Sequence, residues 1–506
     1  MVKSFVNYLM RWYCKLRYNQ LVYFMKHPKE IQLKLLDQFI KINKHTEWGQ
    51  LHEFNKIKDY QSFTENVPLQ DYETLKSYIL RMMNGEKDIL WGGVVKWFSK
   101  SSGTTSDKSK FIPVSDVNLR TCHIRGSWYT TSILYSLNPE MKIFSEKSML
   151  MGGSLYDYPK NPNTKFGDVS AIMISSMPWI GRPFFTPELE VALLPNWDEK
   201  IEKIAQSGIH ENVVMLGGVP TWTIVLFRRM LEITGKKDIL EIWPNFQVYI
   251  HGGVSFEPYR KQFEQFLPSK KVIFQEIYNA SEGFFAIQND FENNDLLLLL
   301  DNGIFYEFIP MSDFETENQK VIPIWEVKEG QNYAIVITTN SGLWRYVIGD
   351  TVMFTSTDPY KIKITGRTRH FVNAFGEEVM ITNTDQAIAA TCHATGAMVS
   401  EYTMAPIYFS QEGKGSHEWL IEFEKPPPSV EEFINLLDEN LKKINSDYEA
   451  KRFKGMALER PHLHSLPLGT FHKWMKTKGK YGGQNKVPRL ANHRKYVEEI
   501  LLYLSQ

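Results

Sequence analysis

The middle of the chain alternates short β-rich runs with helical stretches, and this alternation constrains the fold more than any other feature. Between about residues 90 and 365, runs such as VVMLGG, FQVYIHGG and YAIVITTN are separated by helical stretches such as WTIVLFRRMLEI. Several glycine turns follow the strands directly. Strands that alternate with helices are typical of α/β domains with largely parallel sheets. The apolar run Leu296 to Leu300, which lies between two aspartates, predicts a buried strand.

The chain is too long for one hydrophobic core. Its 506 residues exceed the length at which single cores usually stop growing, so two or more domains are expected. After Gly366 the alternation gives way to a turn-rich segment, two helical stretches and one β-run. We therefore expect an α/β fold with a large domain over residues 1–365, a hinge over 366–385 and a small C-terminal α+β lid domain over 386–506.

The charge balance excludes some classes of function. The chain has 58 Lys plus Arg and 58 Asp plus Glu, so its formal net charge is zero and no nucleic-acid partner is expected. The first fifty residues nevertheless hold nine basic and three acidic residues, which predicts a basic amphipathic helix. Such a helix suits a membrane-surface anchor or a cover packed on the body of the protein, and we favour the packed cover. Residues 451–506 have an excess of nine positive charges, which suits either a positive lid over an anionic ligand or a solvated lysine-rich face.

Cysteine usage indicates a reducing compartment. The three cysteines are far apart and never form a CxxC pair, which argues against a disulfide framework or a zinc site. The apolar run at the N-terminus is broken by Arg11, Lys15 and Arg17, so it does not resemble a signal peptide, and no stretch reaches the length of a membrane span. We therefore expect a cytoplasmic protein without stable membrane insertion.

The first chemical motif follows the strand-like run VVKWFS. It runs from Lys100 to Pro113 and is rich in serine, threonine and lysine around one glycine. Backbone N–H, hydroxyl and ammonium groups of such a loop can donate to phosphate oxygens. The Walker A pattern is absent, and a polar surface loop explains the same composition.

The second motif, YNASEG from Tyr278 to Gly283, follows the apolar run VIF. Glu282 would then stand near the carboxyl end of a strand, which is where open α/β sheets place ligands. A carboxylate there could hold Mg²⁺ that bridges nucleotide phosphates. A helix N-terminal cap without a metal is the competing explanation.

The third motif is WRYVIGD, from Trp344 to Asp350, followed by a basic turn at Gly366 and Arg367. An aspartate after a tight glycine can accept hydrogen bonds from the hydroxyls of a ribose, while Arg345 or Arg367 can neutralise phosphate. A plain β-turn aspartate is the alternative.

Two further glycine pairs complete the set. The pair Gly252 and Gly253 follows a strand, and backbone there can approach a flat base closely. The pair at 482–483 precedes Lys486, which could supply charge to a transition state from a mobile element. Spacing alone would not select Lys486 among the lysines of the tail.

Taken in order, these motifs resemble those of the adenylate-forming enzymes, and more specifically the auxin-responsive Gretchen Hagen family of acyl acid amido synthetases. SSGTTSDKSKFIPVS is similar to the phosphate loop of that family, YNASEGFFAIQ to its second nucleotide motif, LWRYVIGDTV to its ribose-aspartate motif and QNKVPR to its C-terminal lysine motif. The likeness runs from about residue 90 to 490. It implies a large domain with a β-barrel element and a small domain that closes over it.

The resemblance also implies ATP and Mg²⁺, an acyl-adenylate intermediate and transfer of the acyl group to an amine, with an amino acid as the expected acceptor. It implies Lys486, Glu282 and Arg345 as catalytic residues, with Glu282 holding the metal. By motif position, the implied nucleotide site comprises Ser101, Ser102, Gly103, Thr104, Thr105, Lys110, Gly252, Gly253, Val254, Tyr278, Ala280, Ser281, Asp350 and Arg367. The candidates for the acyl pocket are Val219, Asn279, Phe284 and Phe285.

Departures from the family pattern leave alternatives open. The phosphate loop has one more residue before its lysine, so either Lys108 or Lys110 could reach phosphate. Asn279 stands where the plant enzymes usually have a small residue, which indicates an acyl group other than a plant hormone. A CoA ligase using the same adenylate and a nucleotide-binding protein without turnover remain rival readings.

Overall fold

The computed structural model describes these parts of the chain: residues 2–101, 110–179, 181–253, 256–314, 316, 319–368, 371–372, 377, 379–407, 415–445, 448–449, 452, 458–479, 486–491 and 493–505. Its helices are α1 Val2–Lys26, α2 Pro28–Asn43, α3 Glu47–Leu51, α4 Tyr60–Asn66, α5 Tyr72–Met83, α6 Asp116–Asn118, α7 Arg125–Leu137, α8 Val169–Ser175, α9 Leu189–Ala192, α10 Trp197–Gly208, α11 Pro220–Thr234, α12 Arg260–Phe266, α13 Ile381–Thr395, α14 Val430–Ile444, α15 Thr470–Thr477 and α16 Lys495–Leu504.

The strands are β1 Trp97–Ser101, β2 Lys110–Val114, β3 Lys147–Leu150, β4 Leu155–Tyr158, β5 Asn161–Gly167, β6 Phe185–Thr186, β7 Val213–Gly217, β8 Val248–Gly252, β9 Ile273–Ala280, β10 Gly283–Ile287, β11 Leu296–Leu298, β12 Ile304–Pro310, β13 Ile322–Pro323, β14 Asn332–Thr339, β15 Tyr346–Thr357, β16 Tyr360–Arg367, β17 Phe371–Val372, β18 Val379–Met380, β19 Met398–Ile407, β20 Ser416–Lys425 and β21 His462–Leu466.

The chain divides into two compact units. The first comprises Met1–Gly253 and Ser269–Lys363, and the second comprises Val254–Pro268 and Ile364–Gln506. The short segment Val254–Pro268 therefore leaves the first unit and contributes helix α12 to the second, a feature that the sequence analysis did not anticipate. The predicted class, a mixed α/β fold with a large N-terminal and a small C-terminal part, is confirmed.

The first unit is built on one large mixed sheet. Its strands follow the order β13-β12-β14-β15-β16-β11-β10-β9-β8-β7-β3-β6. The strands from β9 to β6 in this order run parallel, while the pairings from β9 to β13 that the structure describes are antiparallel. The first three residues of the leucine run form β11, Leu296–Leu298, and all five leucines are buried as predicted. Strands such as β7 consist almost entirely of buried apolar residues because helices cover the faces of a parallel sheet.

A smaller sheet and the N-terminal helices complete the first unit. The order β2-β1-β5-β4 gives a four-stranded sheet in which β1 and β2 form an antiparallel pair from Trp97 and Val114 to Ser101 and Lys110. Helices α4 and α5 are capped by Asp59 and Asp71, the residues just before each helix, whose carboxylates accept hydrogen bonds from backbone N–H groups three residues on. These capping boxes fix where both helices start.

The second unit has its own sheet and cores. The strand order is β19-β20-β21, with β19 and β20 antiparallel and β20 and β21 parallel. Buried side chains of α13 and α14, such as Ile388 and Leu437, form one core with Trp419 of β20. Buried residues of α15 and α16, including Trp474 and Ile500, form another.

All three cysteines are buried free thiols. Burial raises the thiol pKa to about 11 for Cys14 and to about 12 for Cys122 and Cys392. They are therefore protonated side chains within apolar surroundings at neutral pH. Within the described residues, no helix is both long and apolar enough to cross a bilayer.

Candidate functional site

Glycine pairs follow three neighbouring parallel strands of the large sheet. Strand β3 leads to Gly152 and Gly153, β7 ends at Gly217 before Gly218, and β8 ends at Gly252 before Gly253. Because β3, β7, β8 and β9 run parallel, these loops lie at the same edge of the sheet as the end of β9. The carboxyl ends of parallel strands are where open α/β sheets bind ligands.

The glycine of β8 is required by close packing. A Cβ on Gly252 would lie 2.3 Å from the carbonyl oxygen of Ile277 on the neighbouring strand β9. Gly253 follows with φ of +83°, a conformation that other residues rarely adopt. The predicted close approach of backbone at this pair therefore has a structural basis, while Val254 lies outside the described residues.

The second and third sequence motifs meet through one hydrogen bond. The hydroxyl of Tyr278 on β9 donates to Oδ2 of Asp350 on β15 at 2.6 Å, and both side chains are buried. Three strands separate β9 from β15 in the sheet order, and a flat sheet would hold them about 19 Å apart. The contact therefore requires the antiparallel half of the sheet to curl, in the part of the chain where the resemblance implies a β-barrel element.

Asp350 lies within a strand and not in a plain turn. Gly349 has φ of +91°, and the register between β14 and β15 shifts between Ala334 and Val336. This irregularity is a β-bulge, which redirects the side chains beside it. The bulge accompanies the inward orientation that brings Asp350 to Tyr278.

Glu282 lies in the turn between β9 and β10. Ala280 pairs with Gly283, so Ser281 and Glu282 form a two-residue hairpin turn, and the alternative of a helix cap is wrong here. Both turn residues are buried. A carboxylate at the carboxyl end of β9 fits Mg²⁺, which binds one or two protein carboxylates and takes further oxygens from phosphates. The described residues contain no cluster of three or more His, Cys, Asp or Glu side chains that could hold a metal by themselves.

The predicted phosphate loop lies between β1 and β2 in the sequence. Ser102, Gly103, Thr104 and Thr105 lie outside the described residues, as does Lys108. Ser101 and Lys110 are paired at the ends of the two strands, so the loop is the connection of a β-hairpin. The ammonium group of Lys110 lies 5.7 Å from the centre of the Tyr72 ring, where the ring face attracts a cation.

The acyl-pocket candidates occupy two kinds of environment. Phe284 and Phe285 are buried in the core, and the ring of Phe284 packs so tightly on helix α7 that a Cβ on Gly126 would lie 2.4 Å from it. The ring of Phe285 lies 4.7 Å from that of Tyr278. Val219 is half-buried before α11, directly after the glycine pair of β7.

A histidine that the sequence analysis missed lies beside Asn279. Nδ1 of His123 is 3.3 Å from Oδ1 of Asn279, while its Nε2 has no hydrogen-bond partner among the described residues. Burial lowers the pKa of His123 to about 4, so the ring is neutral at pH 7. His123 belongs to a π-helical turn, Leu119–Ile124, between α6 and α7. Nothing in the local sequence distinguishes it from an ordinary helical residue.

Arg345 is placed differently from the prediction that it neutralises phosphate. Its guanidinium group donates to both carboxylate oxygens of Glu307 and to the backbone carbonyls of Thr64 and Val67. Both charged side chains are buried, at 6% and 0% exposure. The charge of Arg345 is thus already balanced by a carboxylate within the first unit. Arg367, the other candidate, is half-buried at the end of β16.

Lys486 is an exposed residue next to a firmly held segment of the second unit. The carbonyl of Pro488 accepts a hydrogen bond from Thr403 of β19, and Met404 of β19 exchanges backbone hydrogen bonds with residues 489 and 491. The guanidinium of Arg489 donates to Asp385 of α13 at 2.6 Å. These contacts fix the backbone two residues after Lys486.

Comparisons with known proteins agree with this architecture. The GH3 family N-terminal domain matches residues 17–272, the GH3 family central domain matches 297–367 and the GH3 family C-terminal domain matches 382–495. Among curated relatives, indole-3-acetic acid-amido synthetase GH3.4 of Arabidopsis thaliana is 22% identical over 92% of this chain and 90% of its own. Jasmonoyl-L-amino acid synthetase JAR4 of Nicotiana attenuata is 23% identical over 88% of each chain. The solved structure of AtGH3.15 acyl acid amido synthetase in complex with 2,4-DB superposes with a TM-score of 0.79, at 17% identity over 97% of this chain and 96% of that one.

Proposed function

Because the chain belongs to the GH3 family, whose N-terminal, central and C-terminal domains together match most of its length, we propose that it is an ATP-dependent acyl acid amido synthetase. It activates a small carboxylic acid and joins it to the amine of an amino acid. The observation that carries the proposal is the hydrogen bond between Tyr278 and Asp350, which unites two nucleotide motifs at the ligand-binding edge of the sheet.

The proposed reaction has two steps. A carboxylate oxygen of the acid attacks the α-phosphorus of ATP, the bond to the β-phosphate breaks, and pyrophosphate leaves. The nitrogen of the amine then attacks the acyl carbon, and AMP leaves with the bonding electron pair while the nitrogen loses a proton. The chemistry needs positive charge near phosphorus rather than a protein nucleophile.

We assign the roles within the nucleotide site as follows. Asp350 accepts hydrogen bonds from the ribose, oriented by Tyr278, and Gly252 and Gly253 allow the base to lie close to the backbone. Glu282 would hold Mg²⁺, which neutralises charge on the phosphates when it is bound. Lys486 supplies charge to the α-phosphorus in the transition state.

The residues at the acyl side support an acid that differs from the plant hormones. Asn279 stands beside Tyr278 and close to His123, so this part of the first unit has an amide and a neutral imidazole. We propose that Asn279 distinguishes this enzyme's acid from those of its plant relatives by hydrogen bonding. The half-buried Val219 contributes an apolar contact, whereas Phe284 and Phe285 support the pocket from the core.

Pyrophosphate release tests the proposal. Purified protein with ATP and Mg²⁺ would be given a panel of aromatic, fatty and keto acids, each with and without amino acids, and the products identified by mass spectrometry. We expect acid-dependent release and an amide product. A thioester formed on addition of CoA would establish the CoA ligase instead, and ATP binding without release for any acid would favour a binding protein.

Two lysine variants test the role proposed for the positive charge of Lys486. We expect Lys486→Ala to slow adenylation by about two orders of magnitude or more while ATP binding stays nearly unchanged, because the charge acts in the transition state. Lys473→Ala removes an exposed lysine of α15 and serves as the matched control. Equal rates in the Lys486 variant and the wild type would remove this residue from the mechanism.

A further inference from the structure

Helix α1 has two apolar faces on opposite sides. One face is buried: Cys14, Leu21 and Phe24 are at most 1% exposed. Cys14 shares a core cluster with Leu134 of α7, and the ring of Phe24 lies 6.2 Å from that of Tyr129 on the same helix. This face accounts for the packed cover expected from the sequence.

The second face is exposed. We call it the aromatic face, and it consists of Phe5, Tyr8, Leu9, Trp12, Leu16 and Tyr23, which are 45 to 67% exposed. At about 100° of rotation per residue these six side chains fall within an arc of about 100°, opposite Cys14. Packing against the body of the protein has therefore been satisfied by the other side of the helix, and it does not explain the aromatic face.

The charge of α1 complements the aromatic face. The helix has five basic residues, Lys3, Arg11, Lys15, Arg17 and Lys26, and no acidic one, and the first acidic residue of the chain is Glu30. Lys15 and Lys26 are exposed and lie at one border of the arc. Helices that lie in a membrane interface typically have aromatic side chains on an apolar stripe and lysine at its border.

We propose that the aromatic face of α1 binds the surface of an anionic phospholipid bilayer, with the helix lying parallel to it. The apolar and aromatic side chains enter the headgroup region, and the exposed Lys15 and Lys26 at the border of the face contact lipid phosphates. A second copy of the chain is the less suitable occupant, because pairing two such faces would bring the exposed Lys15 and Lys26 of both copies together, and α1 has no acidic residue to balance these four charges. This role is peripheral and independent of the proposed ligase activity.

Vesicle flotation tests the proposal with the full-length protein. Vesicles of phosphatidylcholine alone would be compared with vesicles containing about 30% phosphatidylglycerol, at low and high salt. We expect the wild type to float with the anionic vesicles, to stay at the bottom with the neutral ones, and to bind less in high salt. The double variant Trp12→Ser and Leu16→Ser should partition at least about tenfold more weakly, because two apolar side chains no longer enter the interface.

Two controls separate the surface from the fold. Leu468→Ser changes an exposed leucine of the second unit and should float like the wild type. Circular dichroism and thermal unfolding should be unchanged in the double variant, since both side chains are exposed. A wild type that stays at the bottom with every vesicle, or a double variant that floats equally well, would overturn the proposal. A dimer in analytical ultracentrifugation that the double variant dissociates would assign the face to self-association instead.

Discussion

At the scale of single residues, the hydroxyl of Tyr278 is the most informative atom of the candidate site. It donates to a buried carboxylate, and loss of one partner of such a bond costs about 1–3 kcal/mol. We expect Tyr278→Phe to raise KM for ATP in the pyrophosphate assay by about tenfold or more, because Asp350 is then less well oriented toward the ribose.

The control for this change is another buried tyrosine of the same sheet. The hydroxyl of Tyr306 on β12 is buried and has no hydrogen-bond partner among the described residues. Tyr306→Phe should therefore leave both KM and the unfolding temperature close to those of the wild type. If the two variants behaved alike, the bond between Tyr278 and Asp350 would have no role in binding ATP.

His123 gives a prediction about acid stability. Its pKa is about 4 in the folded protein and near 6.5 when unfolded, so the unfolded chain binds the additional proton between these values. Stability from this residue is present above about pH 6.5 and is lost as the pH falls toward 4, by about 2 kcal/mol between pH 7.5 and pH 5. Urea unfolding of His123→Asn should show a smaller loss over the same interval.

An exposed histidine provides the comparison. His462→Asn on β21 changes a solvent-exposed histidine by the same substitution and serves as the matched control. A His123 variant whose unfolding free energy fell with pH as steeply as that of the wild type would contradict the prediction.

Some of these residues could be predicted from the sequence and others could not. Tyr278 and Asp350 belong to recognisable motifs, so their candidacy follows from the sequence. His123 and the partner of Arg345 do not belong to such motifs. Their contacts join residues that are distant in the sequence and depend on how the strands of the sheet are arranged. Glu307 lies 38 residues from Arg345 and no local pattern links the two.

At the scale of elements, the ion pair of Arg345 and Glu307 joins the strand β12 to the segments around α4. Breaking a buried pair from one side leaves an uncompensated charge and costs about 3–5 kcal/mol. We expect Arg345→Met and Glu307→Gln each to lower the free energy of unfolding by about that amount. The double variant should lose less than the sum of the two.

The single and double variants of Arg345 and Glu307 form a double-mutant cycle, and an exposed ion pair serves as its comparison. Lys165 and Asp157 are 43% and 69% exposed, and exposed pairs contribute about 0–1 kcal/mol. The coupling energy of Arg345 and Glu307 should clearly exceed theirs in chemical unfolding. Full stability of Arg345→Met together with loss of pyrophosphate release would instead restore the catalytic role that the sequence predicts for this arginine.

The turn at Glu282 shows why some elements cannot be predicted from the sequence. The letters Ser-Glu-Gly fit a helix cap and a hairpin turn equally well. The hairpin prevails because β10 pairs with β9, a contact that depends on the whole sheet. Apolar runs such as β7 and β11 were predicted correctly, since burial on both faces is visible in their composition.

At the scale of the whole molecule, the second unit is assembled from two distant segments. Tyr259 in the short segment is buried, and its hydroxyl accepts a hydrogen bond from Arg489 at 2.8 Å. Gln262 donates to the carbonyl of Val399 on β19. A domain boundary predicted near residue 365 does not reveal that the short segment 254–268 belongs to the second unit, because the composition of the sequence changes only where the longer segment begins.

The contribution of the short segment predicts how stable the second unit is when it is produced in isolation. Residues 364–506 alone should unfold at a lower temperature than the same residues with 254–268 attached through a flexible linker, because Arg489 loses its hydrogen bond to Tyr259 and the carbonyl of Val399 loses its donor, Gln262. A linked version with Tyr259→Ala and Gln262→Ala should resemble the shorter fragment. Equal melting of all three fragments would show that the short segment contributes nothing to the stability of this unit.

The burial of the three thiols has a practical consequence for following the enzyme during turnover. With pKa values of about 11 to 12, their thiolate fraction at pH 7 is ~10⁻⁴ or less, so maleimide reagents should leave them unmodified. One cysteine introduced at exposed Leu137 and another at exposed Leu468 would then be the reactive positions, one in each unit. Fluorophores attached there would report the distance between the units by energy transfer, in a background that needs no cysteine removed.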